Sequence, residues 1–170
     1  MNKVIILVGN IGSGKTSWIN NNEKCVIVSK DLIRKSFAMC TQLGSDPLLA
    51  KGYVFDDILE KYVHNITLNY YEGVLHLSPP FVIYDETNMS KESRQPFIEL
   101  AKKYNYIVDA IVFPDFGPEE HVKRRMLSNH GTVPKDKWYE VYNYKKNRYE
   151  EPVMTEGFSS ITFLKEKTNA

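Results

Sequence analysis

Cysteine is scarce in this chain, with Cys25 and Cys40 the only two. They form no C-x-x-C pair, which excludes a disulfide framework and a zinc site of that pattern. Cys25 leads into an apolar run and reads as core rather than as a reactive thiol. An excess of one charge is also missing. The 22 Lys and Arg face 21 Asp and Glu, a formal net charge of +1. A global basic footprint for nucleic acid is therefore excluded, and any such site must be a local cluster. Long hydrophobic runs are absent too, since no apolar segment approaches the ~20 residues of a membrane-spanning helix. The short apolar N-terminal run does not have the form of a signal peptide. No internal repeat or low-complexity tract is present. These absences together predict a protein of the reducing cytoplasm.

What remains is an ordinary globular composition, 42% hydrophobic and 25% charged over 170 residues. That length predicts one domain, residues 1–170, with a substantial core. Its centre is Gly9-Asn10-Ile11-Gly12-Ser13-Gly14-Lys15-Thr16, which fits G-x-x-x-x-G-K-[ST], the phosphate-binding P-loop. Lys3 to Val8 precedes it as a β-branched apolar run, the mark of a strand buried on both faces. The glycines allow positive φ and a close approach of backbone to ligand. The loop amides and the following helix N-terminus then favour phosphate oxygens. Lys15 brings positive charge to the β- and γ-phosphates, and Thr16 offers a hydroxyl to Mg²⁺. A chance Gly-rich turn is the bland alternative, and the strand before it argues against that. The loop predicts binding of ATP or another nucleoside triphosphate with Mg²⁺.

Further strands are expected at Lys24–Ser29, Phe81–Tyr84, Tyr106–Phe113 and Phe158–Leu164. Helices are expected after Thr16, from near Asp31, over Tyr53–His76, after Lys91, from Pro118 and from Pro134 to about Tyr149. Thr41–Gly52 and Ser128–Val133 read as loops. Pro96 fits only a first turn or a kink, so the helix carrying it should start later than Lys91. The alternation predicts an α/β fold, a parallel central sheet covered on both faces in a three-layer sandwich of the P-loop NTPase kind. Ligands of such sheets lie at the carboxyl ends of the strands, where the P-loop, Lys30-Asp31 and Asp85-Glu86 all fall.

Each cluster has a functional and a structural reading. Asp31 could take the proton of an attacking hydroxyl, or it could simply cap a helix. Arg34 one turn later, beside a P-loop, favours the base and suits an acceptor carrying phosphate. Asp85 and Glu86 end an apolar strand, the setting in which P-loop proteins hold Mg²⁺ through a carboxylate; alternatively they cap the next helix. Lys123-Arg124-Arg125 lie where a closing lid over about 118–134 would deliver an arginine to the transferring phosphoryl group; a solvated basic face is the other reading. Lys145, Lys146 and Arg148 alternate with tyrosines, a pattern that can stack single-stranded nucleic acid but more often marks a helix with a Tyr-lined core side. The four histidines have no metal-ligand spacing.

These motifs, in this order, resemble the kinase domain of the bacteriophage polynucleotide 5′-hydroxyl kinase family, from Met1 to about Pro152. The P-loop with Trp18, the run Lys30-Asp31-Leu32-Ile33-Arg34, the strand end Asp85-Glu86-Thr87-Asn88 with Arg94 beyond it, Val122-Lys123-Arg124 and Val133-Pro134 carry the resemblance. It implies that Asp31 is the general base for a 5′-hydroxyl and that Arg34 binds the 3′-phosphate of the terminal nucleotide. Lys15 and Thr16 would then bind donor phosphates and Mg²⁺. Asp85, Glu86 and Asn88 fall on the acceptor and metal side, with Asp85 a metal candidate. Two departures stand out. The family's lid arginine corresponds to Ser128, so either Arg124 or Arg125 substitutes or the lid is built differently. The acid directly before Thr-Asn aligns with Glu86 rather than Asp85. The phage enzyme's phosphatase signature has no counterpart, so a kinase alone is expected.

The expected activity is transfer of the γ-phosphate of ATP to a hydroxyl of DNA or RNA, at a 5′ end. A modified base in DNA, a nucleoside or a small metabolite is the alternative acceptor. A regulator that binds nucleotide without transferring phosphate is a third possibility.

Overall fold

The computed structural model describes residues 1–21, 25–42, 57–127 and 133–165. The expected loop at Thr41–Gly52 lies outside the described residues from 43 onward, and so does the expected helix start at Tyr53–Asp56. The loop at 128–132 lies outside them as well.

Five strands form one sheet: β1 Lys3–Val8, β2 Val26–Ser29, β3 Phe81–Asp85, β4 Ile107–Val112 and β5 Ser160–Phe163. The order is β2-β3-β1-β4-β5 and every pairing is parallel. The chain leaves β1 toward β2 on one side, then leaves β3 for β4 on the other. The carboxyl ends of β1 and β3 thus flank the point where the winding reverses, the place where such sheets bind ligands.

The strands are apolar because both faces are covered. Side chains alternate across a strand, so Val4, Ile6 and Val8 enter one core while Ile5 and Leu7 enter another. The first core lies under α3 (Asp57–His76) and α4 (Lys91–Lys103), where Tyr71, Leu75, Phe97, Ile98 and Ala101 are buried. Phe97 stacks on Tyr84 with ring centres 3.8 Å apart. The second core lies under α1 (Lys15–Asn20), where Ile19 and Trp18 meet Phe113. Cys25 packs at its border, and burial pushes its thiol pKa up, as expected of a structural cysteine.

The α4 helix starts at Lys91, earlier than Pro96 suggested. Ser90 caps it by accepting from the Ser93 amide, and Glu92 adds an acid to the first turn. Arg94, Phe97, Ile98 and Ala101 are buried at helical spacing. That burial and the cap outweigh the single backbone bond that Pro96 removes.

The remaining helices are α2 (Lys30–Gln42), α5 (Pro118–Leu127) and α6 (Lys135–Asn147). The last two pack together around Val122, Trp138 and Tyr142, and Ile11 of the P-loop completes that cluster. A 3₁₀ turn, Met154–Glu156, leads into β5. Among the described residues no helix is long and apolar enough to cross a membrane.

Candidate active site

The P-loop is held from three sides. Gly9 donates its amide to the Thr87 carbonyl at 2.9 Å, which ties the loop's entry to the end of β3. Asn10, itself buried, accepts from the Ile11 amide at 2.8 Å and donates to the Tyr142 carbonyl of α6 at 3.1 Å. His121 of α5 is buried and lies 2.6 Å through Nδ1 from the Ile11 carbonyl. Its Nε2 lies 3.1 Å from both the Phe116 amide and Asp115 Oδ1. Burial lowers the His121 pKa and keeps the ring neutral. Gly12 and Gly14 take positive φ, +65° and +99°. A Cβ on Gly12 would lie 2.5 Å from the His121 carbonyl, so α5 can pack this close only against glycine.

Lys15 turns back over this loop. Its Nζ donates to the Gly9 and Asn10 carbonyls at 2.7 and 2.8 Å and lies 3.4 Å from Ser13 Oγ. Burial lowers its pKa from the ordinary lysine value to about 8, with Asp85 and Glu86 pulling it back up and Arg125 pushing further down.

A cavity of about 470 Å³ opens in front of the loop. Ile11 to Thr16, Asp31, Arg34, Asp85, Glu86, Arg124 and Arg125 all line it, so one cavity gathers residues from the P-loop and α1, from α2, from the end of β3 and from α5. Asp85 is pushed up to about 6, chiefly by burial, with Lys15 opposing and Glu86 and Asp31 reinforcing. Burial likewise raises Glu86, against the pull of Arg34.

Beside Asp31, Arg34 is buried among carboxylates. Its Nε and Nη2 donate to the two oxygens of Glu60 at 2.6 and 2.7 Å, a bidentate pair. Its Nη1 donates to Asp31 at 2.6 Å and stands 3.6 Å from Glu86. Arg124 pairs with Glu120 at 2.6 Å and covers the Phe116 ring at 4.0 Å. Arg125 covers the Trp138 ring at 4.6 Å and is close enough to Lys15 and Asp85 to influence both. Ser128, the position of the family's lid arginine, lies outside the described residues.

Three expected residues do not line the cavity. Asn88 is buried at φ +49° and its amide donates to the Leu7 carbonyl at 2.8 Å, bracing the end of β3 against β1. This placement departs from the acceptor contact expected of it. Gly9 and Asn10 stand behind the loop and contribute carbonyls to Lys15. Conversely, Glu60 and His121 carried no signal in the sequence. Glu60 is one acid on a long amphipathic helix, and His121 has no spacing to any partner. Lys145 was visible only within a basic-aromatic pattern on α6, yet it too lines the cavity.

A buried parallel strand running into a phosphate loop, with basic and acidic residues converging on one cavity, defines a P-loop kinase-type domain, a fold that binds nucleotides. The chain belongs to the AAA domain family AAA_33, whose model matches residues 4–152. Among solved structures it resembles a chain of the Pnkp1/Rnl/Hen1 RNA repair complex at 25% identity and a TM-score of 0.58, over 88% of this chain and 46% of that one. This chain thus spans about half the length of that relative. A putative kinase from Chloroflexus aurantiacus shares the fold at 14% identity and a TM-score of 0.63, covering 96% of this chain and 84% of that one. Chaetomium thermophilum Kti12, solved with ADP-AlF3, does so at 20% identity and a TM-score of 0.59, covering 95% and 88%.

Proposed function

We propose that this protein transfers the γ-phosphate of ATP to a hydroxyl of a nucleic acid, most simply the 5′-hydroxyl end of DNA or RNA. One observation carries the reading: Asp31, in the first turn of α2 just beyond β2, lines the same cavity as the P-loop lysine, so a base and a phosphate donor site face one space. The 25% identity to a chain of an RNA repair complex supports a nucleic-acid acceptor.

In this reading the loop amides and Lys15 hold the donor phosphates. Asp31 accepts the proton of the acceptor hydroxyl, whose oxygen attacks the γ-phosphorus while ADP departs. Arg125, beside Lys15 and Asp85, is better placed than Arg124 to meet charge developing on the phosphoryl oxygens. Among the described residues no three His, Cys, Asp or Glu converge as metal ligands. The oxygens of Thr16 and Asp85 suit Mg²⁺, which takes one or two protein ligands and completes its shell with phosphate and water. Mg²⁺ held there would neutralise charge on the donor phosphates.

The carboxylates around Arg34 favour a second reading, a neutral hydroxyl acceptor such as a nucleoside. A single assay separates the two. With γ-labelled ATP and Mg²⁺, label is expected on the 5′ end of hydroxyl-ended oligonucleotides. Label confined to nucleosides or sugars would sink the polynucleotide reading, and label within the polymer would point to a modified base.

Lys15 also sets a pH dependence. Its pKa in the folded protein is about 8, and a bound phosphate raises it. Below pH 8 the ammonium is already present. Above it, nucleotide binding must first take up a proton. The ATP association constant, measured by titration calorimetry without Mg²⁺, is expected to fall up to about tenfold per unit above pH 8. Proton uptake per ATP should rise toward one over the same range. A flat affinity from pH 7 to 9.5 would contradict this assignment.

A further inference from the structure

Lys145 and Lys30 are two cations of the cavity with no part in the donor site. Lys145 lies on α6 and Lys30 opens α2, and both are half-buried and line the acceptor end. Both stand near Glu86, Glu60 and Arg34, whose charges act on each of them. Neither closes an ion pair within 4.0 Å among the described residues. Lys145 makes only a distant approach to the Tyr144 ring, 5.8 Å from its centre.

A half-buried ammonium in no close ion pair among the described residues is costly, and these two share one cavity and one set of charged neighbours. The charges around them matter. With every group ionised, Asp31, Glu60 and Glu86 against Arg34 leave the acceptor end at a net −2, which repels a phosphate. Lys30 and Lys145 bring it to zero. Arg34 itself has its Nε and Nη2 edge engaged by Glu60, so its capacity for a further bidentate anion is small.

We propose that Lys145, together with Lys30, forms a phosphate seat for the acceptor, binding a backbone phosphate next to the hydroxyl that Asp31 serves. This deepens the end-kinase reading and rests on it. Recognition of a phosphate-bearing acceptor falls to α6 and the start of α2, while Arg34, clamped by Glu60, positions Asp31. A nucleoside lacks the phosphate and has nothing to gain from the seat.

The test uses the intact chain and a 5′-hydroxyl oligonucleotide labelled at its 3′ end with a fluorophore. Binding is followed by anisotropy without ATP, over a range of salt. Lys145→Met, on a partly solvated helix face, should weaken binding about tenfold and reduce the slope of log K against log salt by about 0.7, one single-strand phosphate contact. Lys145→Arg should restore most of both. In the label assay Lys145→Met should raise the oligonucleotide KM by far more than it changes the nucleoside KM or the ATP affinity. Binding within twofold of wild type at an unchanged slope overturns the seat, as does wild-type protein that does not bind the oligonucleotide. Lys145-dependent binding with no label at any 5′ end keeps the seat and overturns the end-kinase reading.

Discussion

Replacing Asp31 by Asn is expected to lower kcat by about 10²–10⁴, the contribution of a positioned general base, with ATP affinity within about twofold of wild type. Asn keeps the volume of Asp31 and an oxygen that can accept the 2.6 Å bond from Arg34, so the local packing survives. It cannot take the proton of an attacking hydroxyl. The loss should therefore fall on the chemical step and leave nucleotide binding largely alone, because Lys15 and the loop amides hold the donor phosphates. Steady-state rates with an oligonucleotide acceptor and calorimetric ATP titrations measure the two quantities separately. If kcat stays within threefold of wild type, Asp31 serves only to hold Arg34 and the base lies elsewhere. If ATP affinity and kcat collapse together, the substitution has disturbed the fold and Asp31→Glu should be compared. That variant restores a carboxylate one methylene further out.

Arg94→Met is expected to cost about 3–5 kcal/mol of stability, the usual consequence of removing one partner from a buried ion pair. Arg94 is wholly buried and bonds both oxygens of Glu156, at 2.8 and 2.7 Å. Its Nη1 also donates to the Asn88 and Glu150 carbonyls at 2.9 and 3.0 Å. One guanidinium thus ties α4 to the segment after β3 and to the turn before β5. Met fills much of the volume but leaves the Glu156 carboxylate buried without its counter-charge. For a domain of this size the shift corresponds to a fall in Tm of about 6–20 °C. The double variant Arg94→Met with Glu156→Leu removes the orphaned charge and should recover much of the loss. Urea denaturation read by far-UV circular dichroism gives the value. A single-variant loss below about 1 kcal/mol would show that this pair is not a main tie of the fold.

The resemblance singled out Arg94 in the helix after the strand end Asp85-Glu86-Thr87-Asn88, yet its partner Glu156 lies 62 residues on. The same distance in sequence hides the other ties. His121 reaches Ile11 across 110 residues, and Glu60 reaches Arg34 across 26. No periodicity or motif records such pairs, because each residue alone is an ordinary member of its helix. Asn88 was misplaced for a related reason. Its position after β3 suggested an acceptor contact, while its backbone conformation turns the amide to the Leu7 carbonyl. Pro96 misled by its local rule, which the Ser90 cap and four buried side chains overrode.

The sequence by itself determined the parallel α/β architecture, the P-loop and the three strand ends that carry its polar residues. Those features are local: a run of β-branched residues, glycines at fixed spacing, a proline or acid at a helix start. Only the tertiary structure decided which side chains share the cavity, because that depends on the strand order β2-β3-β1-β4-β5 and on where α3 and α6 pack. That packing puts Glu60 on Arg34 and brings Lys145 to the acceptor end, and neither placement follows from the residues' own neighbourhoods.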